Sequence, residues 1–176
     1  MALGWVCLAT AAAAGAACSG SESNNGGGGG ACPPPSQKYP LTAAYADHAC
    51  LHVLHGPWEK FPADADPAST KTELRNTHYA YTVELPSTAD GAHAGAVYFE
   101  PRSTEGFAFF RTSDTPFTLQ TRDGAQICPV ASYEVKASCS ELRRVDFFDL
   151  TRKSEYPLRL GPTSESSVMV IVEAAP

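Results

Sequence analysis

The sequence predicts an all-β domain, an antiparallel β-sandwich of about nine short strands with one short helix before it. Three observations carry that expectation. Short segments with apolar or alternating character recur beyond residue 58, separated by turn residues at even spacing. No stretch after residue 56 has the length and period of a long helix. Phe107, Phe109, Phe110, Phe117, Phe147 and Phe148 supply the bulk of a core. At 176 residues the chain has room for one such domain plus an extension.

The extension comes first. Residues 1–18 carry no charged side chain, and residues 9–17 are almost wholly small. Followed by Cys18-Ser19-Gly20, this stretch resembles a bacterial secretory signal of the lipoprotein type, in which the cysteine after the small residues is lipidated. Gly15 stands where that family usually has Leu. The resemblance implies lipidation at Cys18, a cell-envelope location and the membrane as a partner. The alternative is cleavage after Ala14-Gly15-Ala16, which yields a secreted protein. Residues 19–31 have no apolar side chain larger than Ala and cannot bury a core. As a coil they reach roughly 20 Å, and Pro33-Pro34-Pro35 stiffens the end. The expected division is a signal at 1–18, a tether at 19–40 and a sandwich at 41–176.

Cysteine arithmetic supports this division. Cys7 leaves with the signal, and a lipidated Cys18 leaves four: Cys32, Cys50, Cys128 and Cys139. Four cysteines form two disulfides in an oxidising compartment, with three pairings open. Cys128 with Cys139 is the preferred local pair, because the ten residues between them can form a hairpin-like loop. Cys32 with Cys50 then follows by elimination.

Residues 41–55 read as a short helix or helical turn. Thr42 can cap it, Ala43-Ala44-Tyr45-Ala46 favours it, and Gly56-Pro57 stops it. The competing reading opens a strand at residues 50–55. The strands follow at 58–61, 79–85, 96–100, 107–111, 117–121, 133–137, 145–150, 156–160 and 168–173. Residues 63–69 are a loop by composition, and Arg122-Asp123-Gly124 marks a tight turn. One ring each of Phe109-Phe110 and Phe147-Phe148 must face away from the sandwich interior. That second face is therefore covered, lies at an edge, or binds something.

Gly106-Phe107-Ala108-Phe109-Phe110, Thr115-Pro116-Phe117-Thr118-Leu119, Asp123-Gly124, Tyr156-Pro157-Leu158-Arg159-Leu160 and Val168-Met169-Val170-Ile171-Val172 look like bacterial pre-peptidase C-terminal domains and related jelly-roll accessory modules. The match spans residues 95–173 and rests on strand order and turns. It implies a secreted β-sandwich linked to binding, with an envelope protein or glycan as partner, and carries over no functional residue.

Residues 47–57 hold three of the five histidines. On a helix His48, His52 and His55 fall at i, i+4 and i+7, on one face. On a strand His48, Cys50 and His52 share a face and His55 turns away. The His48–His52 pair survives either reading. Such imidazoles suit Zn or Cu. His78 is the best further ligand, with His55 the alternate and Asp47 a ligand or outer partner. Histidines at a cap or beneath a sandwich are commoner than sites, and no paired CxxC closes this cluster. Cys50 is better read as a disulfide partner than as a thiolate ligand.

Weaker readings are calcium at Asp64, Asp66, Asp90 or Asp114, a glycosidase-like pair at Asp146 and Asp149, and a stacking platform of Trp58, Tyr79, Tyr81, Tyr98 and Tyr133. Solvated loop carboxylates and core rings are the ordinary alternatives. No Gly-x-Ser-x-Gly, His-Glu-x-x-His, phosphate loop or dinucleotide fingerprint occurs, which predicts a binding or accessory module rather than an enzyme. The net charge of −6, with Arg143-Arg144 the nearest approach to a basic cluster, argues against nucleic acid as a partner. If Cys18 is the anchor, Cys18→Ser moves the protein from the membrane to the soluble fraction on fractionation; unchanged partition refutes lipidation.

Overall fold

The computed structural model describes residues 31–136 and 139–176. The signal-like segment, Cys18 and the tether up to residue 30 lie outside the described residues. In chain order the elements are α1 (Ala43–His55), β1 (Trp58–Pro62), a 3-10 turn (Pro67–Ser69), β2 (Glu73–Leu74), β3 (Ala80–Glu84), β4 (His93–Phe99), β5 (Glu105–Arg111), β6 (Phe117–Gln120), β7 (Gln126–Ile127), β8 (Ala131–Glu134), β9 (Arg144–Leu150), β10 (Tyr156–Thr163) and β11 (Ser167–Ala174). Two sheets pack together in a β-sandwich-like arrangement. The six-stranded sheet runs β1-β3-β11-β5-β9-β8 and the five-stranded sheet β2-β4-β10-β6-β7.

The expected architecture holds in outline and needs three corrections. The fold is not strictly all-β, because α1 is a full helix of 13 residues. The sheets are mixed rather than antiparallel: β1 pairs parallel with β3, and β2 parallel with β4. Among the described residues eleven strands replace nine, since β2 and β7 are two residues each and too short to show a period.

The helix forms for the local reasons expected. Thr42 is its N-cap, its Oγ1 accepting from the Tyr45 amide at 3.2 Å. Gly56, at φ +74°, ends it by donating its amide to the His52 carbonyl. A side chain at Gly56 would meet the Trp58 ring at 2.9 Å.

The interior between the sheets is built from Tyr81, Val83, Phe107, Phe109, Phe148, Val170 and Val172 on one side and Leu74, Val97, Phe99, Leu119, Leu158 and Leu160 on the other. Phe110, Phe147, Val145, Ile171, Ala80 and Ala108 form a second cluster on the outer face of the six-stranded sheet. The second ring of each Phe pair thus lies on a covered face. Its cover is α1, through Ala49 and Cys50, together with Tyr39 and Leu41. Tyr39 and Tyr45 both stack on Phe147, and the Tyr45 hydroxyl donates to the Ala174 carbonyl at 2.7 Å.

The four cysteines form two disulfides, but not as expected. Cys32 bonds Cys128, and Cys50 bonds Cys139. The local pair fails because residues 131–134, between Cys128 and Cys139, enter the ladder as β8 beside β9 rather than folding back as a closed loop. Each bridge instead joins the N-terminal cover to a distant connection. With sequence separations of 96 and 89 between partners, each is worth about 4–5 kcal/mol on the chain-entropy account. The tether is correspondingly shorter than expected. Beyond Cys32 the chain is fastened: the Lys38 amide donates to the Val130 carbonyl, and the Tyr133 hydroxyl to the Tyr39 carbonyl. Phe147→Ala removes the ring on which this cover rests and lowers stability by about 3–5 kcal/mol; a loss under 1 kcal/mol in urea unfolding shows the cover to be independent of it.

Candidate metal centre

β11 lies at the middle of the six-stranded sheet, between β3 and β5. Val168, Val170 and Val172 face the interior, so Met169, Ile171 and Glu173 face the helix. Glu173 sits opposite Ala108 in the ladder, and its side chain is 1% exposed. The methyl groups of Ala49, Ala80 and Ala108 leave room for it beneath α1. Among the described residues no Lys or Arg pairs with it. Its neighbours are imidazoles instead.

His48 and His52 descend from α1 at i and i+4, as the sequence indicates, and His78 arrives from the turn before β3. His78 Nδ1 lies 2.6 Å from Glu173 Oε2, His48 Nδ1 3.7 Å from Oε2, and His52 Nε2 3.3 Å from Oε1. The four ligating atoms lie within 4.8 Å of one another. That spread is somewhat wider than the roughly 3–4 Å between nitrogens sharing a metal at about 2 Å.

Two features orient the ligands. His52 Nδ1 is 3.1 Å from the Gly56 carbonyl. As donor there, it leaves Nε2 as a lone pair aimed at the cluster, the usual way a backbone carbonyl sets a ligand's tautomer. Both His52 Nε2 and Glu173 Oε1 are buried with no hydrogen bond. Buried ligating atoms without partners have a use for a cation. His78 takes φ +64°, an unfavourable backbone for a residue with a side chain. Its amide donates to the Val172 carbonyl, which extends the ladder by one step and brings the ring beside Glu173.

Burial pushes the Glu173 carboxyl up to about 8. Burial, then the neighbouring His48 and His52, lowers His78. Both shifts favour the uncharged form of each group, so the metal-free site holds a proton on the Glu173 carboxyl at the expense of its charge. A divalent cation would displace that proton.

Of the expected ligands, His48, His52 and His78 come together. His55 is exposed at the end of α1 and stands outside the cluster, as does Asp47. The alternate ligand is therefore corrected: seven positions beyond His48, on the same face, it lies about two turns further along the axis, at the helix end. The fourth ligand, Glu173, is one that sequence reasoning missed. Its signal was present: residues 168–172 are apolar at every position, which marks a strand covered on both faces, and a Glu continuing that run falls on a buried face.

The other candidates disperse. Asp64 accepts from Thr70 Oγ1 and the Lys71 and Thr72 amides, and Asp66 caps the 3-10 turn. Asp90 binds Thr88, and Asp114 faces Arg144. Asp146 pairs with Arg111 and Asp149 with Lys38, on opposite faces of β9. The five rings of the stacking platform share no face. Tyr79 and Tyr81 pack into the interior, Tyr98 is on the outer side of the other sheet, and Trp58 and Tyr133 lie on opposite edge strands. No protein-family model and no curated protein sequence matches the chain, so the chemistry rests on this geometry.

A carboxyl whose folded pKa lies above its ordinary 4.5 stabilises the protonated domain. That stability is present at acid pH and is lost as pH rises through about 8. Between pH 6.5 and 9 the metal-free wild type loses about 2 kcal/mol more than Glu173→Gln in urea unfolding. Parallel pH profiles contradict the burial of an ionisable group at this position.

Proposed function

We propose that this protein is an exported, lipid-anchored β-sandwich module that binds a divalent transition metal, Zn or Cu, through His48, His52, His78 and Glu173. The carrying observation is the convergence of three imidazoles from two separate elements on one buried carboxyl that, among the described residues, has no Lys or Arg partner. Nitrogen and oxygen ligands of this kind suit Zn and Cu; soft sulfur is absent because Cys50 is in a disulfide.

The ligand count favours binding over catalysis. A catalytic zinc typically keeps three protein ligands and a water, whereas four protein ligands complete a tetrahedral shell. Two disulfides are consistent with an extracytoplasmic compartment. Among the described residues no helix is long and apolar enough to cross a membrane. The envelope location by way of Cys18 is supported by the small-residue segment before it and by the polar tether after it.

Loading the purified protein with Zn or Cu and desalting gives about one ion per chain, and saturation at a hundredfold excess over Kd raises stability by about 2.7 kcal/mol. His52→Ala weakens binding about 100-fold or more, while His55→Ala leaves it within about twofold. No retained ion in the wild type overturns the reading.

A further inference from the structure

The metal ligands are divided between two bodies. His48 and His52 belong to α1, while His78 and Glu173 belong to the six-stranded sheet. The site therefore exists only while the helix is docked. A 13-residue helix is marginal by itself in water. Its non-covalent ties to the sheet are the small buried side chains Ala46 and Ala49, the partly buried Val53, and Tyr45, which packs on Phe110 and Phe147 and gives one hydrogen bond to β11. One tie is covalent. Cys50, between the two histidines in sequence, is bonded to Cys139 in the β8–β9 connection, at the other side of the sheet from β3 and β11. Both cysteines are at least nine-tenths buried.

We propose that the Cys50–Cys139 disulfide and the metal lock one another in place, so that reducing this one bond releases the metal and bound metal slows the reduction. The inference rests on the metal reading above. The chemistry is exchange with an external dithiol. Its thiolate attacks one sulfur of the bridge, the other cysteine leaves as a thiolate, and the second thiol resolves the mixed disulfide. Cys50 and Cys139 gain two electrons and two protons, and the dithiol becomes a disulfide. With the bond cut, α1 keeps only the packing of Tyr45, Val53 and two alanines and the Tyr45 hydrogen bond, and His48 and His52 are held less firmly over Glu173. Linkage requires the effect to run both ways: if the docked helix favours metal, the metal favours the docked helix and shields the buried sulfurs.

The second bridge is a built-in control. Cys32–Cys128 ties the segment before α1 to the β7–β8 connection and includes no residue of the helix. The test compares zinc affinity, by competition with a chromogenic chelator, in the wild type, in Cys50→Ser/Cys139→Ser and in Cys32→Ser/Cys128→Ser. The helix pair weakens binding about tenfold or more, and the control pair changes it by less than about threefold. Equal affinity in all three proteins, equal loss in both double variants, or tighter binding in the helix pair overturns the lock and leaves the metal reading intact. No zinc bound by the wild type overturns both. Should the helix pair fail to fold, as judged by near-UV circular dichroism, the wild type decides. Reduction of Cys50–Cys139 by tris(2-carboxyethyl)phosphine, followed by alkylation and peptide mapping, is about tenfold slower with saturating zinc; unchanged rates refute the coupling.

Discussion

The burial of one carboxylate governs the rest of this structure. Glu173 sits next to the end of a central strand, on a face otherwise carpeted with Ala, Ile, Val and Phe. A hydrophobic residue there would pack the helix onto the sheet at lower cost, because desolvating a carboxyl requires either a proton or a positive partner. The surroundings accommodate it in both ways. Three imidazoles approach within 3.7 Å, and small side chains on both the helix and the sheet leave the space. Several local features then have one explanation. The strained turn at His78, the carbonyl of Gly56 turned back to His52, and the alanines of α1 all serve to bring nitrogen lone pairs over that oxygen.

Much of this was legible in the sequence, and the reasons for the gaps are physical. The His48–His52 pair could be read because helical and strand periods both place it on one side. His78 could be suspected because it precedes a clearly alternating strand. Glu173 was harder, since a terminal Glu after an apolar run ordinarily marks where a strand reaches solvent. Only the demand that both faces of β11 be covered makes it buried. That demand was implicit in Phe109-Phe110 and Phe147-Phe148, whose outward rings needed a cover. The cover proved to be α1 together with the segment beyond Cys32.

Sheet topology was less visible than strand content. β1 and β2 precede the regular hairpins and add in parallel, at one edge of each sheet. Parallel pairing leaves no turn signature, because its partners need not be adjacent in sequence. The disulfides follow the same logic. Pairing by proximity in sequence assumes that intervening residues form a loop, but those after Cys128 form β8 on the far edge of the larger sheet. Once β8 is in place Cys139 lies under α1, and Cys50 is the partner within reach.

The division of exposure among the ligands bears on how a metal would come and go. Glu173 is closed off and His52 nearly so, at 1% and 13% exposed, whereas His48 and His78 stand near half-exposed at the rim. The inner pair is held by the sheet and by the Gly56 carbonyl, whereas the outer pair is open to solvent. An ion bound here would meet the exposed imidazoles first and would lose its remaining water on reaching the buried pair. Its departure would reverse that order, with the buried carboxyl taking back a proton. Such an exchange would need no opening of the sandwich itself, because the exposed rings already form the way in, provided the helix stays where its covalent tie holds it.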